Sequence, residues 1–441
     1  MPKNKKKDQV MKVIVNPAKE QWETLTKRPT QDFSKIERIV QPILDKVKRN
    51  GDSALKKFIW EYDHVKIDDI IVTEEELEQA GELVSDDLKE AINVACANIN
   101  KFHEAQKTDD LELETMPGVI CKRKSVPLRK VGFYVPGGTA PLFSTVLMLG
   151  IPAKIAGCKE VVLCTPTNSE GKINPTILYT AHLLGINKVA KVGGAQAIAA
   201  MTYGTESIPR VDKIFGPGNQ FVTTAKQLVG HGVAIDMPAG PSEVLVVADD
   251  EARPEFVAAD LLSQAEHGMD SQVILVAFSK DFIEKVLLEI EAQINVLPRK
   301  NMASKSLSNS LAIELPNRKT AIKFINRYAP EHLIISTRKP QKIARKIYNA
   351  GSVFLGDYTP ESAGDYASGT NHTLPTNGWA RSISGVSLDS FVKKITFQEI
   401  SEEGITNIGP VIEKMAEAEQ LEAHKNAVTL RLKFLKENEK S

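Results

Sequence analysis

Apolar residues along this chain change their spacing near residue 130. Between residues 31 and 107 they recur every three or four positions, as from Phe33 to Val47, and this spacing predicts helices. Thr73 followed by Glu76 predicts a capping box at the start of one of them. Beyond residue 130 the apolar residues gather into short runs. Residues 131–135, 161–164, 189–192 and 213–215 are predicted as strands, with helices between them near 144–156 and 175–184. Residues 244–248 and 273–278 are continuous apolar runs, as strands buried on both faces require. Strand, glycine loop and helix, repeated in that order, predict an α/β fold with a parallel sheet. The C-terminal stretch reads as mostly helical, with residues 411–436 one charged amphipathic helix that lacks a core of its own.

A length of 441 residues implies two to four domains at about 150 residues each. Hydrophobic residues make up 42% and charged residues 25%, and the formal net charge is zero. That balance gives no general attraction to nucleic acid or to anionic membranes. No apolar run approaches the roughly 20 residues that span a bilayer. Cys96, Cys121, Cys158 and Cys164 show no CxxC spacing, so neither a zinc knuckle nor a disulfide framework is implied and a reducing cytoplasm is expected. The basic run from Lys3 to Lys7 reads as a solvated tail.

Three glycine loops fall at the carboxyl ends of predicted strands, where open α/β sheets bind ligands. They are Pro136-Gly137-Gly138-Thr139, Gly193-Gly194-Ala195-Gln196 and Gly216-Pro217-Gly218-Asn219. None matches GxGxxG. Each taken alone is equally a tight turn; three in one domain favour a nucleotide or phosphate ligand. Gln264 and His267 lie three apart in a predicted helix, which puts both on one face and suits a divalent metal. Glu331 and His332 are an adjacent acid and base, the residue types for proton transfer near neutral pH, or a chance pair in a surface loop. Residues 360–372 read as a long polar loop with Asp365 as a metal ligand and His372 as a substrate contact. Glu419 and His424 on the last helix stand about 140° apart around its axis, which by itself describes a solvated face. Gln264, His267, Asp365 and His424 make an N/O donor set for zinc, manganese or cobalt, although spacing does not show that they converge.

At these residues the chain resembles the histidinol dehydrogenase family. The resemblance is carried by Ile235-Asp236, Ala239-Gly240-Pro241-Ser242-Glu243, Asp260-Leu261-Leu262-Ser263-Gln264-Ala265-Glu266-His267, Ala329-Pro330-Glu331-His332, Gly356-Asp357, Ser362-Ala363-Gly364-Asp365-Tyr366 and Ala423-His424-Lys425-Asn426. It implies oxidation of L-histidinol to L-histidine in two steps with two NAD⁺. It implies one Zn²⁺ per subunit on Gln264, His267, Asp365 and His424, the last from the partner subunit of a homodimer with a shared active site. His332 would take the hydroxyl proton and Glu331 would activate water. Ser242, His372 and Glu419 would join the zinc ligands and His332 in contacting the substrate, and Tyr134, Gln196 and Asn219 would contact NAD⁺. The implied fold is α/β: two incomplete Rossmann-like parallel-sheet domains plus small helical N- and C-terminal parts. The expected boundaries are an N-terminal extension at 1–29, a first α/β domain from 30–130 with 243–386, an NAD-binding domain at 131–242 and a C-terminal helical domain at 387–441. Nucleic-acid and membrane partners are not expected.

The rival reading is a paralogue on the same scaffold that oxidises another primary alcohol, such as a sulfonated diol. His372, Glu419 and His424 match the histidinol pattern and argue against it. A zinc hydrolase with Glu331 as the base for metal-bound water, and a catalytically silent binding protein, are the readings from other classes.

Overall fold

The computed structural model describes residues 10–28, 33–137, 140–238 and 240–438. The run Lys3 to Lys7, the loop residues Gly138 and Thr139, and Ala239 lie outside the described residues. In chain order the strands are β1 (Lys12–Val15), β2 (Leu111–Met116), β3 (Val119–Pro127), β4 (Lys130–Tyr134), β5 (Glu160–Cys164), β6 (Lys188–Ala190), β7 (Lys213–Phe215), β8 (Ala234–Ile235), β9 (Glu243–Ala248), β10 (Gln272–Ala277), β11 (Leu311–Glu314), β12 (His332–Ser336), β13 (Ser352–Leu355) and β14 (Val392–Ile400). Two compact units divide the chain: Met1–Ala105 with Arg129–Ser390, and Gln106–Leu128 with Phe391–Ser441.

The larger unit holds two parallel sheets, as the α/β expectation required. The first has strand order β1-β11-β10-β9-β12-β13. Side chains alternate across its two faces. Val244, Val246, Val273 and Leu275 enter one core with Val257, Leu261 and Ile283 from the covering helices. Leu245, Val247, Ile274 and Val276 enter the opposite core with Phe324, Ile325 and Tyr328. Both faces are therefore apolar, which is why β9 and β10 read as unbroken hydrophobic runs. The outer strand β1 falls within the expected N-terminal extension, yet it pairs with β11 in register from Lys12↔Leu311 to Val15↔Glu314.

The second sheet runs β6-β5-β4-β7-β8. Its core contains Val162, Cys164, Ile198 and Val222, and also Ile36, Val40, Ile43, Leu44 and Val47. Those last five form a single stripe at helical spacing on the helix Phe33–Asp63. The expected grouping joins this helix to the other sheet; its stripe packs here instead. The helix bends at Gly51, whose φ of 52° only glycine adopts without strain. The Asp52 N–H that follows the bend donates to Glu206 Oε2 at 2.7 Å, so a carboxylate caps the second segment.

The smaller unit is a three-stranded antiparallel sheet, β14-β3-β2, followed by two helices. Its strands depart from the mostly helical expectation. The predicted single helix is also broken, into Glu402–Ala418 and Glu422–Asn438. Between them Gln420 takes a positive φ of 59°. The Gln420 N–H donates to the Glu417 carbonyl at 3.0 Å and the Leu421 N–H to the Ala416 carbonyl at 2.9 Å, the paired bonds of a Schellman stop with Gln in glycine's usual place. Among the described residues no helix is long and apolar enough to cross a membrane.

Gly51→Ala should destabilise the protein by about 1–2 kcal/mol, because an alanine Cβ is strained at positive φ. Urea unfolding monitored by circular dichroism measures this, and an unchanged midpoint would mean the bend does not depend on glycine.

Candidate active site

The helix Arg318–Tyr328 ends at Ala329, which sits in the left-handed region at φ 54°. Pro330 follows without an N–H and cannot continue the helix. Glu331 then precedes β12, which His332 opens between β9 and β13. The Ser352 N–H donates to the Glu331 carbonyl at 2.9 Å, and the Gly351 N–H to the Pro330 carbonyl at 2.9 Å. The Glu331 side chain accepts from the Glu243 N–H at Oε2, 2.8 Å away. His332 Nδ1 lies 3.2 Å from the Glu243 carbonyl. A carbonyl can only accept, so Nδ1 carries a hydrogen and Nε2 is the position that gains or loses the second proton. Nε2 is buried without a hydrogen-bond partner and faces Asp365 Oδ1 at 3.8 Å. The acid-base pair thus lies at the amino edge of the first sheet, opposite to the usual ligand edge of open α/β folds.

The remaining donors arrive from two further segments. The helix Pro254–Ala265 buries Gln264 in its last turn. It stops one residue before Glu266, so His267 lies beyond the helix in an exposed turn and not on the face of Gln264 as expected. The stretch read as a long loop contains the helix Glu361–Tyr366, with Pro360 at its cap. Proline pre-sets the entry and Glu361 sits in the first turn, where an acid is favoured. This helix turns Glu361 and Asp365 to one side, four residues apart. Ligand atoms of His267, Glu361 and Asp365 all lie within 4.8 Å of one another. Gln264 bridges outward from the group: its amide donates to Glu361 Oε1 and accepts from the Glu243 N–H at 3.0 Å. His372 accompanies them, with Nδ1 donating to the Asp365 carbonyl at 2.8 Å and Nε2 3.2 Å from Thr145 Oγ1.

Charge in this site is uncompensated. Burial pushes the Glu361 carboxyl up to about 8, helped by Asp365 and Glu331 and opposed by His332. Asp260, which accepts from the Glu361 N–H, is pushed to about 7 by burial. Burial alone would pull His332 down, but Glu361, Glu331 and Asp365 surround it and hold it near 10. Glu361 Oε2, like His332 Nε2, is buried with no partner. Imidazole and carboxylate donors, an excess of negative charge and two orphaned polar atoms fit a divalent cation such as zinc. His267 and Asp365 would be its first contacts, with Gln264 and Glu361 alongside.

The structure brings Gln264, His267, Glu331, His332, Asp365 and His372 together. Ser242 immediately precedes β9, one residue from Glu243. Glu419 and His424 belong to the smaller unit, where Glu419 caps the helix Glu402–Ala418 and both side chains are exposed. Tyr134, Gln196 and Asn219 stand at the carboxyl edge of the second sheet. The Tyr134 hydroxyl accepts from the Gly194 N–H at 3.1 Å, and Gln196 is buried two residues on. Asn219 caps the helix Gln220–Val229, accepting from the N–H groups of Phe221 and Val222 at 3.0 and 3.1 Å. Sequence reasoning gives no role to Glu361, Asp260 or Glu243. Glu361 has a signal, an acid after a proline and four residues before Asp365.

The sequence profile described as histidinol dehydrogenase matches residues 26–432. The chain belongs to that family. The histidinol dehydrogenase of Bacteroides thetaiotaomicron is 56% identical over 428 residues, covering 97% of this chain and 100% of that one. The histidinol dehydrogenase of Campylobacter jejuni is 52% identical over 432 residues, with 97% and 100% covered. The crystal structure of histidinol dehydrogenase from Elizabethkingia anophelis has a TM-score of 0.95 at 55% identity, covering 97% of this chain and 99% of that one. The chain is accordingly an oxidoreductase, and its fold is that of the family.

Carboxyl and imidazolium groups held above their ordinary pKa keep protons at pH 7 that a cation would expel. Zinc titrated into metal-free protein at pH 7 should therefore release on the order of one proton per ion. Calorimetry in two buffers of different ionisation enthalpy reads this directly, and Glu361→Gln should reduce it. Equal heats in both buffers would contradict the charge distribution described above.

Proposed function

We propose that this enzyme oxidises L-histidinol to L-histidine, with two NAD⁺ consumed in sequence, at the end of histidine biosynthesis. The observation that carries the reading is the pairing of His332 and Glu331 on one backbone unit, Glu243, with His332 Nε2 unpartnered beside the donor cluster. With a cation answering the surrounding carboxylates, a base free at Nε2 and an adjacent acid, both buried, are what successive proton transfers around one carbon require.

Zinc, held by Gln264, His267 and Asp365 with His424 from the partner subunit, would supply a fixed charge that grips the imidazole and amine of the substrate. NAD⁺, at Tyr134, Gln196 and Asn219, would supply the hydride acceptor. His332 Nε2 accepts the hydroxyl proton as the carbon loses hydride, leaving an aldehyde. Glu331 then takes a proton from water as its oxygen bonds to the aldehyde carbon, and His332 returns its proton to the carbonyl oxygen, giving the hydrate. His332, neutral again, accepts a proton from a hydrate hydroxyl as hydride leaves again, and the acid results. Ser242, His372 and Glu419 are assigned to substrate contacts. The position of Glu331 supports its role: its Oε2 is held by the Glu243 N–H, so its orientation is set before substrate arrives. The exposed Leu430 and Phe434 on the last helix support a second copy as partner, since a homodimer would cover them. A cytoplasmic site of action follows from the same reading.

Two NADH per L-histidinol, followed at 340 nm, is the expected stoichiometry, with activity lost on chelation and restored by zinc. One NADH per substrate would remove water activation from the scheme, and activity with a different alcohol alone would make the enzyme a paralogue of other specificity.

His332→Asn should lower turnover by about 10²-fold or more while zinc binding survives. Glu331→Gln should slow oxidation of the aldehyde more than oxidation of the alcohol. Stopped-flow measurement of each half-reaction separates them, and equal losses in the Glu331 variant would sink its assigned role.

A further inference from the structure

Glu243 holds both members of the acid-base pair through its backbone alone. Its N–H serves Glu331 Oε2 at 2.8 Å, and its carbonyl receives His332 Nδ1 at 3.2 Å. Its side chain touches neither. That side chain turns instead to Arg28, which lies some 200 residues earlier in sequence. Arg28 Nε and Nη2 donate to the two Glu243 carboxylate oxygens at 3.0 and 2.8 Å, a bidentate fork. The Asn377 N–H donates to Glu243 Oε1 at 2.6 Å. Both charged side chains are buried, 8% and 2% exposed.

Arg28 also grips the segment that presents Glu331 and His332. Nη2 donates to the Tyr328 carbonyl at 2.7 Å and to the Ala329 carbonyl at 3.3 Å, at the end of the preceding helix. The guanidinium stacks over the Tyr328 ring at 3.7 Å, and the Tyr328 hydroxyl donates to Gln272 Oε1 at 2.9 Å. One planar cation therefore ties the start of β9 to the turn leading into β12. These are the two segments whose relative placement sets Glu331 and His332 against Glu243. Lysine has no fork to make both contacts.

We infer that Arg28 is a positioning residue of this enzyme, which fixes the geometry of the Glu331–His332 pair by clamping Glu243 to Tyr328 and Ala329. The inference rests on the acid-base reading of that pair. Arg28 contacts neither member, so its loss misplaces groups that remain present, and misplacement near 1 Å costs about 10²-fold in rate.

The test compares Arg28→Ala, Arg28→Lys and Glu243→Gln with the unaltered holoenzyme, each variant matched for zinc content and folded fraction. Arg28→Ala should lower kcat by about 10- to 100-fold with the KM for histidinol within about 3-fold. The primary deuterium isotope effect on kcat, with histidinol deuterated at the reacting carbon, should rise as hydride transfer becomes limiting. Added guanidinium should restore part of the activity of Arg28→Ala and none of that of Arg28→Lys. Glu243→Gln keeps an acceptor but loses the charge, and should show the same isotope effect with a smaller loss. A fall in kcat that only tracks the folded fraction, with the isotope effect unchanged and no rescue, would make Arg28 a stabilising residue and overturn the inference. Failure of both Arg28→Lys and Glu243→Gln to fold would overturn it equally. His332→Asn run alongside separates the two levels: full turnover in that variant overturns the acid-base reading, whereas a dead His332→Asn beside fully active Arg28 variants overturns this inference alone.

Discussion

Buried negative charge is the constraint around which this active site is organised. Glu243, Glu331 and Glu361 are each less than a tenth exposed, and Asp260 and Asp365 stand close to Glu361. A carboxylate withdrawn from water costs several kcal/mol unless a cation or good hydrogen bonds answer it. The site meets that cost in two ways. Glu243 has a permanent cation in Arg28, the Asn377 N–H and a fixed geometry. Glu361 and Asp365 have the imidazoles of His332 and His267, the Gln264 amide and open coordination. The first arrangement is closed and structural. The second is left incomplete, which suits a group that must gain and lose a cation or a proton.

The parallel sheet explains how two such different carboxylates come to be neighbours. β9 and β12 are adjacent and in register, with His332 opposite Val244. The first residue of β9 and the residue before β12 are therefore forced together at the same edge. Glu243 can then use its backbone toward β12 while its side chain points away to Arg28. The amino edge of a parallel sheet presents free N–H groups, which favour carboxylate oxygens, and the Glu243 N–H serves Glu331 and Gln264 in that way.

Much of this is legible in the sequence. The unbroken apolar runs at β9 and β10 announce strands covered on both faces, and the glycine loops announce the carboxyl edge of the second sheet. The residues quoted for the family resemblance include Gln264, Glu331, His332 and Asp365, all of which the fold gathers. What stays hidden has identifiable causes. The helix carrying Gln264 stops at Ala265, three residues before the glycine Gly268, so spacing alone misplaces His267. The break near Gln420 is invisible because Gln takes the left-handed position that glycine usually marks. Arg28 is unreadable in principle: its partners Glu243 and Tyr328 lie more than two hundred residues away, and nothing local distinguishes it from a surface arginine.

The sulfonated-diol alternative can be weighed against this charge distribution. A sulfonate is a permanent anion, and the surroundings of His332 already contain Glu331, Glu361 and Asp365 within about 4 Å of the ring nitrogens, as the contacts at 3.6, 4.0 and 3.8 Å show. Bringing a further anion there would add repulsion to a desolvation cost that is already unanswered, and no arginine or lysine reaches these three carboxylates among the contacts that define the group. An amino alcohol adds no negative charge. Its amine and imidazole would bring two neutral nitrogen donors to a set made of nitrogen and oxygen, so the electrostatics that disfavour an anionic alcohol do not oppose this one.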